Sequence, residues 1–415
     1  MKYFAFLFLI LVLSSCNIFN ALKVAKKLGK SSLVSKEFTT VSKFEYKNGH
    51  IFIKAKIQNQ NELSNFIFDT GAGTTISPEL SNKLNLKKTT LKGDIDSNDA
   101  LNKSFPMIDS LIVSNIKFLK IGAVEVEPSK ITDTKCKPFE GIIGANILKK
   151  CIWQLNYQTE EITATDKLTN LSHIIGAIKI PFSPASITGS PILSIALNDS
   201  LIMNWILDTG FNGFITFSTE NKEEFINKIP KKDIAYNYSL GYNSIYGKDT
   251  TNMGSYLLKT KLNVGGHAFD SVPITFGKYK NISREKNGVI GNKFLENFIV
   301  TIDWKDNNVY LQPIQNRKLP DNQLSYGINY GFDNGKLIVG AVWKNSDAEK
   351  QGIKVGDQII LFNEKKATNL SQEEICNFFD ENQTIIDDNV LNITLLKNNQ
   401  EINYKLKAYD LFSKY

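Results

Sequence analysis

Asn65-Phe66-Ile67-Phe68-Asp69-Thr70-Gly71 and Asn204-Trp205-Ile206-Leu207-Asp208-Thr209-Gly210 are the two stretches on which the reading of this chain turns. Each is an apolar run of the kind that forms a strand, and each ends on Asp-Thr-Gly. An aspartate at a strand end, followed by residues free to turn, projects its short carboxylate out of the sheet. One copy is a weak signal, because Asp and Gly are ordinary turn residues. Two copies in two similar lobes can bring the carboxyls face to face. Carboxyls that close cannot both ionise, so they share one proton. The protonated one can then polarise a carbonyl while the ionised one takes a proton from water.

The repetition extends outward from the motifs. Lys54-Ala55-Lys56-Ile57 precedes the first motif and Thr74-Thr75-Ile76-Ser77 follows it; Leu193-Ser194-Ile195-Ala196-Leu197 and Gly213-Phe214-Ile215-Thr216 flank the second. Further on, an apolar-apolar-Gly element recurs as Ile142-Ile143-Gly144 and Val289-Ile290-Gly291. A closing pair of strands ends each copy: Cys151 to Asn156 with Glu161 to Ala164, and Phe298 to Asp303 with Val309 to Leu311. Short alternating runs of Ile, Val, Phe and Thr, punctuated by Gly, Asn and Asp, predict a mainly β fold. Brief helices are expected only after Ser77 and after Gly144.

The pattern changes after residues 315–323, which read as a linker. Strands are expected around Gly327-Ile328 and from Lys336 to Val342. A helix capped by Ser346 and ending on Gly352 follows, and a helix starting at Ser371 carries Glu374 as the partner of a capping box. The segment Ser346 to Asn363, with its Ala-x-x-x-Gly-x-x-x-Gly-Asp core, resembles a PDZ domain. PDZ domains typically bind the last residues of a peptide by adding it as a strand. The resemblance implies that Gly327 and Ile328 border the loop that receives the peptide carboxylate.

Each repeat resembles one lobe of the retropepsin-like aspartic proteases, and the pair resembles their single-chain, two-lobed arrangement. Carried over by position, the resemblance implies a catalytic dyad of Asp69 and Asp208. Thr70 and Thr209 would cross-link the two loops, Gly71 and Gly210 would turn them, and Ile142-Ile143-Gly144 and Val289-Ile290-Gly291 would pack behind them. The copies depart from the pattern just after the motif. Pepsin-like enzymes usually carry Ser or Thr there and retropepsins Ala; Ala72 fits the latter, and Phe211 fits neither. Neither side chain can donate a hydrogen bond to a carboxylate, and the bulk of Phe211 could crowd the dyad or shift its loop. A flap over the cleft is also implied. Residues 94–100 are one candidate; residues 239–247 are another, with Gly241 and Gly247 flanking Tyr242 and Tyr246. An ordinary hairpin tip fits the second stretch equally well.

The N-terminus has a charged tip and an apolar run from Phe4 to Leu13, too short to span a bilayer comfortably, which reads as a secretory signal. Leu13-Ser14-Ser15-Cys16 resembles the lipobox of bacterial lipoproteins, implying lipidation of Cys16 and anchoring to a membrane of the cell envelope. The expected organisation is a signal at 1–16, a tether at 17–37, lobes at 38–170 and 171–315, and a PDZ domain at 322–412. Of the remaining cysteines, an oxidising compartment permits a Cys136–Cys151 bridge, but no spacing demands one, and buried free thiols fit as well. The net charge of +7 is scattered over lysines without a basic block, so nucleic acid is not an expected partner. His50, His173 and His267 are the three histidines and have no ligand spacing, so no metal is expected. No phosphate-binding glycine loop is present and no cofactor is expected.

The leading expectation is a membrane-anchored, monomeric aspartic endopeptidase acting on polypeptides, with the PDZ domain assisting substrate binding. The alternative is a non-catalytic peptide-binding lipoprotein that keeps the cleft and the PDZ groove. A pure scaffold would leave both aspartates unexplained.

Overall fold

The computed structural model describes residues 26, 28–91, 103–128, 136–198, 201–219, 223–240, 242–244, 247–249, 254–277, 287–317, 319, 323–333, 335–382 and 390–413. Cys16 and the stretch 94–100 lie outside them, as do Gly241 and Tyr246. None of the described helices is long and apolar enough to cross a membrane.

The two sequence copies form two β lobes with the same internal pairing. In the first, the alternating strand His50–Ile57 buries Ile51, Ile53, Ala55 and Ile57 and pairs antiparallel with Ser64–Asp69. In the second, Pro191–Leu197 buries Leu193, Ile195 and Leu197 and pairs with Leu201–Leu207. The apolar-apolar-Gly elements are the strands Gly141–Gly144 and Gly288–Ile290. Each runs parallel to the strand that delivers the aspartate: Ile143 lies opposite Phe68 and Gly144 opposite Asp69, as Ile290 lies opposite Leu207. Each also pairs antiparallel with the strand that leaves the aspartate loop, Thr75–Ile76 or Ile215–Ser218. A loop between two strands both anchored on one central strand has little freedom, so the side chains on it are held in place.

The closing strands join the lobes. Ile152–Asn156 and Phe298–Asp303 pair antiparallel about a pseudo-twofold, with Gln154 opposite Thr301. Glu161–Thr165 and Thr39–Lys43 extend this floor on one side, and Asn308–Pro313 and Ile178–Pro184 on the other. Phe298–Asp303 is buried along its whole length. The floor packs under the aspartate strand through Trp153, which is fully buried and stands edge-on to Phe68 at 5.3 Å. One apolar cluster therefore runs through both lobes and the floor. Truncating a buried Trp in such a core costs about 3–5 kcal/mol.

The segment read from the sequence as tether is partly built into the first lobe. Leu28 is buried, and Ser32–Leu33 pairs with Leu119 and Phe118. A short apolar pair inside a Lys- and Ser-rich stretch carries no periodicity of its own, so its docking depends on the edge it finds.

The C-terminal unit has its own core, built on Ile328, Leu337, Val339, Ile359, Phe362, Phe378, Leu391, Ile393 and Leu406. Its helix signals are realised: Ser346 caps Asp347–Lys350 by accepting from the Glu349 N–H at 3.0 Å. Ser371 and Glu374 form the capping box of Gln372–Asn382, with N–H to side-chain distances of 2.7 and 3.2 Å. The unit is fixed to the lobes twice. Its strand Lys336–Trp343 is extended by Ile234–Ser239 of the second lobe, with Asn237 opposite Trp343 and Ser239 opposite Ala341. A disulfide joins Cys136, in the loop before Gly141–Gly144, to Cys376 in the helix Gln372–Asn382. This corrects the sequence-level option of a Cys136–Cys151 bridge. Cys151 is a buried free thiol, its pKa pushed up to about 12 by burial and then by Asp166.

Candidate active site

The two Asp-Thr-Gly turns meet at the junction of the lobes and interlock with near-perfect reciprocity. The Thr70 N–H donates to Thr209 Oγ1 at 3.0 Å, and the Thr209 N–H donates to Thr70 Oγ1 at 3.1 Å. Each hydroxyl then donates across the junction, Thr70 to the Leu207 carbonyl at 2.6 Å and Thr209 to the Phe68 carbonyl at 2.9 Å. Both threonines are fully buried, so each hydroxyl must be satisfied by the other lobe or not at all. The expected cross-link is thus a network of four hydrogen bonds.

Above it stand the carboxyls. Asp69 Oδ1 accepts the Gly71 and Ala72 N–H groups at 2.7 and 3.0 Å. Asp208 Oδ1 accepts the Gly210 and Phe211 N–H groups at 2.8 and 3.1 Å. The glycines make room for the opposite aspartate. A Cβ on Gly71 would lie 2.2 Å from Asp208 Cγ, and one on Gly210 would lie 2.2 Å from Asp69 Oδ2. No side chain larger than hydrogen fits either position while the carboxyls face each other. The structure therefore brings Asp69 and Asp208 together, and their carboxyls are hydrogen-bonded to each other.

The electrostatics follow from that geometry. Burial, then the facing Asp208 carboxylate, hold the Asp69 pKa well above the usual carboxylate range. The hydrogen bond with Asp208 pushes the same way, while the Gly71 and Ala72 N–H groups pull against it. Asp208 is the more accessible of the two. The pair is accordingly set to keep one proton where isolated aspartates would have lost both.

Gly144 and Gly291 close the back of the loops. A Cβ on Gly144 would lie 2.3 Å from Gly73 C, and one on Gly291 would lie 2.4 Å from Gly213 O. Ile142, Ile143 and Ile290 are buried beside them, with Val289 less so. Phe211 does not cover the carboxyls. Its ring is folded back over Gly213 and Gly291, whose added Cβ atoms would meet ring carbons at 2.2 and 2.5 Å. Two glycines behind the loop thus absorb the bulk that the sequence suggests could crowd the dyad.

Sequence reasoning passed over three residues that shape the site. Asn146 accepts from the Thr74 N–H and Oγ1 at 2.8 and 2.7 Å and donates to the Leu28 and Gly122 carbonyls. Asn292 donates to the Thr209 and Gly49 carbonyls at 2.6 and 2.8 Å. His50 is buried, with its ring edge-on to Phe52 at 6.3 Å. An asparagine follows each apolar-apolar-Gly element, Asn292 directly after Gly291 and Asn146 one residue further on after Ala145, and both are legible as polar residues in an apolar setting; His50 has no such signal.

The other expected sites are placed less fully. Tyr242–Ser244 and Gly247–Asp249 form a small hairpin, Ser244 opposite Gly247, at the end of the strands Ile234–Ser239 and Gly254–Val264. In the C-terminal unit, Gly327 adopts a left-handed conformation (φ +87°) and Ile328 is buried opposite Val342. The Gly327 N–H donates to Ser325 Oγ at 3.0 Å. That N–H is thus engaged within its own turn.

Residues 318–387 match the PDZ domain family, and the C-terminal unit is a PDZ domain. No curated protein matches the chain. Among solved structures, the crystal structure of basic 7S globulin from soybean is similar, at 10% identity over 67% of this chain and 95% of that one, with a TM-score of 0.39. The fold is mainly β: two lobes with the same internal strand pairing, followed by a PDZ domain.

Proposed function

We propose that this chain is an aspartic endopeptidase in which Asp69 and Asp208 activate a water molecule against a peptide bond. The observation that carries the reading is the packing of each carboxyl onto the opposite glycine, which leaves the two aspartates sharing one proton. Asp69, the more buried, holds that proton and donates it to the peptide carbonyl oxygen. Ionised Asp208 takes a proton from the water as its oxygen bonds to the carbonyl carbon. The tetrahedral diol then collapses: one hydroxyl proton returns to Asp69 as that C–O bond becomes the new carbonyl, the C–N bond breaks, and the leaving nitrogen takes the proton from Asp208. The hairpin at 242–249 serves as a flap, and the PDZ domain, tied to both lobes, assists by holding part of the polypeptide. Lipidation at Cys16 anchors the protein to a membrane of a bacterial envelope as a monomer. The Cys136–Cys376 disulfide supports an oxidising compartment.

A non-catalytic peptide-binding role is favoured by one feature: neither Ala72 nor Phe211 offers a hydroxyl to the carboxyl beside it. Incubating the protein with a peptide library from acid to neutral pH, beside an Asp69→Asn variant, separates the two. Cleavage by the wild type and none by the variant is the expected result. Peptide binding without cleavage by either would favour the alternative.

A further inference from the structure

We propose that Asn292 is a positioning residue of this site, which holds the active-site loop of the second lobe against the Asn48–Gly49 turn of the first. The proposal builds on the aspartic dyad above. Asn48 and Gly49, with φ of 55° and 74°, form a two-residue hairpin turn between Glu45–Lys47 and His50–Ile57, and Lys47 pairs with His50. Two positive φ values in succession favour Asn-Gly. The tip of this turn reaches into the other lobe. A Cβ on Gly49 would lie 2.8 Å from Asn212 Cβ and 2.8 Å from Asn212 O, so the backbone of the turn rests on the residue two beyond Gly210.

Asn292 is fully buried and grips the loop on both sides of Gly210. Its backbone N–H donates to the Phe211 carbonyl at 2.9 Å, and its side-chain amide donates to the Thr209 carbonyl at 2.6 Å. The same amide donates to the Gly49 carbonyl at 2.8 Å, which carries the grip across to the first lobe. Tyr157 donates to Asn292 Oδ1 at 2.8 Å, so both ends of the side-chain amide are in use. Burial, then Glu296, hold the Tyr157 phenol well above its usual pKa, and it stays a donor. The Tyr157 ring stands edge-on to Tyr46 at 5.2 Å, and Tyr46 donates to Glu296 Oε2 at 2.5 Å. The short helix Asn292–Leu295 and the Glu296 that caps it are therefore bonded to three groups of the first lobe, two phenols and the Gly49 carbonyl. What the grip encloses is Gly210, whose N–H goes to Asp208 and whose Cα faces the Asp69 carboxyl. A shift of this one glycine moves the wall against which the proton-holding carboxyl stands.

The pseudo-twofold shows that this amide is an addition to the shared plan. Ile143 lies opposite Phe68 as Ile290 lies opposite Leu207, so Ala145 occupies the place of Asn292. Phe52 pairs with Ile67 as Ile192 pairs with Ile206, so Gly189 occupies the place of Gly49. The backbone half of the grip is common to both lobes, because the Ala145 N–H donates to the Ala72 carbonyl at 2.8 Å. The side-chain half is not. Alanine has no amide, and the Gly189 carbonyl accepts from Trp304 Nε1 of its own lobe at 2.8 Å, although Gly189 keeps the left-handed conformation (φ +85°). The Asn292 side chain thus acts on one loop alone, the loop that carries Phe211.

The test uses the full chain with Asn292→Ala, which gives the second lobe the residue that the first carries, and Gly49→Ala, which pushes the turn off Asn212. Each should lower kcat on a cleaved peptide about tenfold with KM changed far less. The double variant should be no slower than the slower single one, because both changes break the same contact between turn and loop. Amide hydrogen exchange gives a reading that needs no turnover. Asn292→Ala should raise exchange in residues 208–212 and leave 69–73 unchanged. Tyr157→Phe, which removes a single hydroxyl from the amide, should show the same pattern on a smaller scale and serves if Ala at position 292 prevents folding. Unchanged exchange in 208–212, a rise shared equally by 69–73, or a double variant slowed by the product of the two single effects would overturn the proposal. A wild type that cuts nothing would sink the endopeptidase reading and leave the exchange result to decide the role of Asn292.

Discussion

The two lobes carry the same Asp-Thr-Gly turn and hold it by different means. In the first, Asn146 ties Thr74 to the carbonyl of Leu28, so the loop is braced by the chain that enters its own lobe. In the second, Asn292 ties the Thr209 carbonyl to the Asn48–Gly49 turn of the opposite lobe. The attachments to the PDZ domain differ in the same way: a disulfide from Cys136 on the first lobe, a strand pairing through Ile234–Ser239 on the second. What stays symmetric is the set of backbone contacts that fix the carboxyls, namely the threonine cross-link, the paired N–H donors and the two facing glycines. The proposed chemistry requires that set, and the supports behind it differ between the lobes.

The strongest way to break this symmetry is to fill one of the glycine positions. Gly71→Ala and Gly210→Ala should each lower peptide cleavage at least about 10²-fold, since a displacement near 1 Å suffices for that. The loss should be similar from either lobe. A mild effect at one position would mean that its facing carboxyl is not held there.

Cutting the covalent attachment probes the outer, asymmetric layer. Cys136→Ser should destabilise the packing of the PDZ domain on the lobes by about 2–4 kcal/mol in denaturant unfolding. The cleavage of short peptides should survive, because no dyad contact passes through the disulfide. If short-peptide cleavage collapses as well, the PDZ domain is part of the catalytic frame.

Thr70→Ala and Thr209→Ala sharpen the comparison from the inside. Each removes a fully buried hydroxyl and strands partners in the other lobe, at about 1–3 kcal/mol of unfolding free energy. Near-equal losses are expected from the reciprocal bonding. A loss from one and none from the other would show that the cross-link carries load on one side only.

A smaller effect depends on pH. Because the folded-state pKa of Asp69 is raised above its ordinary 3.8, the fold binds its proton more tightly than the unfolded chain does. The associated stability is fully present below that ordinary value and is lost as pH rises through the raised one. Asp69→Asn carries no such charge, so its melting temperature should gain on the wild type as pH increases from acid toward neutral. Parallel melting curves across that range would contradict the raised pKa.

The sequence displayed the symmetric part and hid the asymmetric part. Asp-Thr-Gly after an apolar run, the apolar-apolar-Gly strands and the closing strand pairs are local patterns that occur twice, and the Ser346 and Ser371 caps are local too. The Cys136–Cys376 bridge joins residues 240 positions apart. No spacing rule reaches that far, and the choice of partner depends on how the PDZ domain docks. The docking of Leu28 and Ser32–Leu33 was hidden for the same reason: a sheet edge selects them, and their own pattern does not. The bulk of Phe211 was legible, but its direction was set by Gly213 and Gly291.

The central claim is that Asp69 and Asp208 hold one proton between them, and titrating their carboxyl carbons by NMR in the folded protein tests it most directly. The account predicts two widely separated steps, with the second, belonging to the pair, well above the usual carboxylate range, and the collapse of that pattern to a single ordinary step in Asp69→Asn. Two independent titrations near the ordinary aspartate value in the wild type would contradict it.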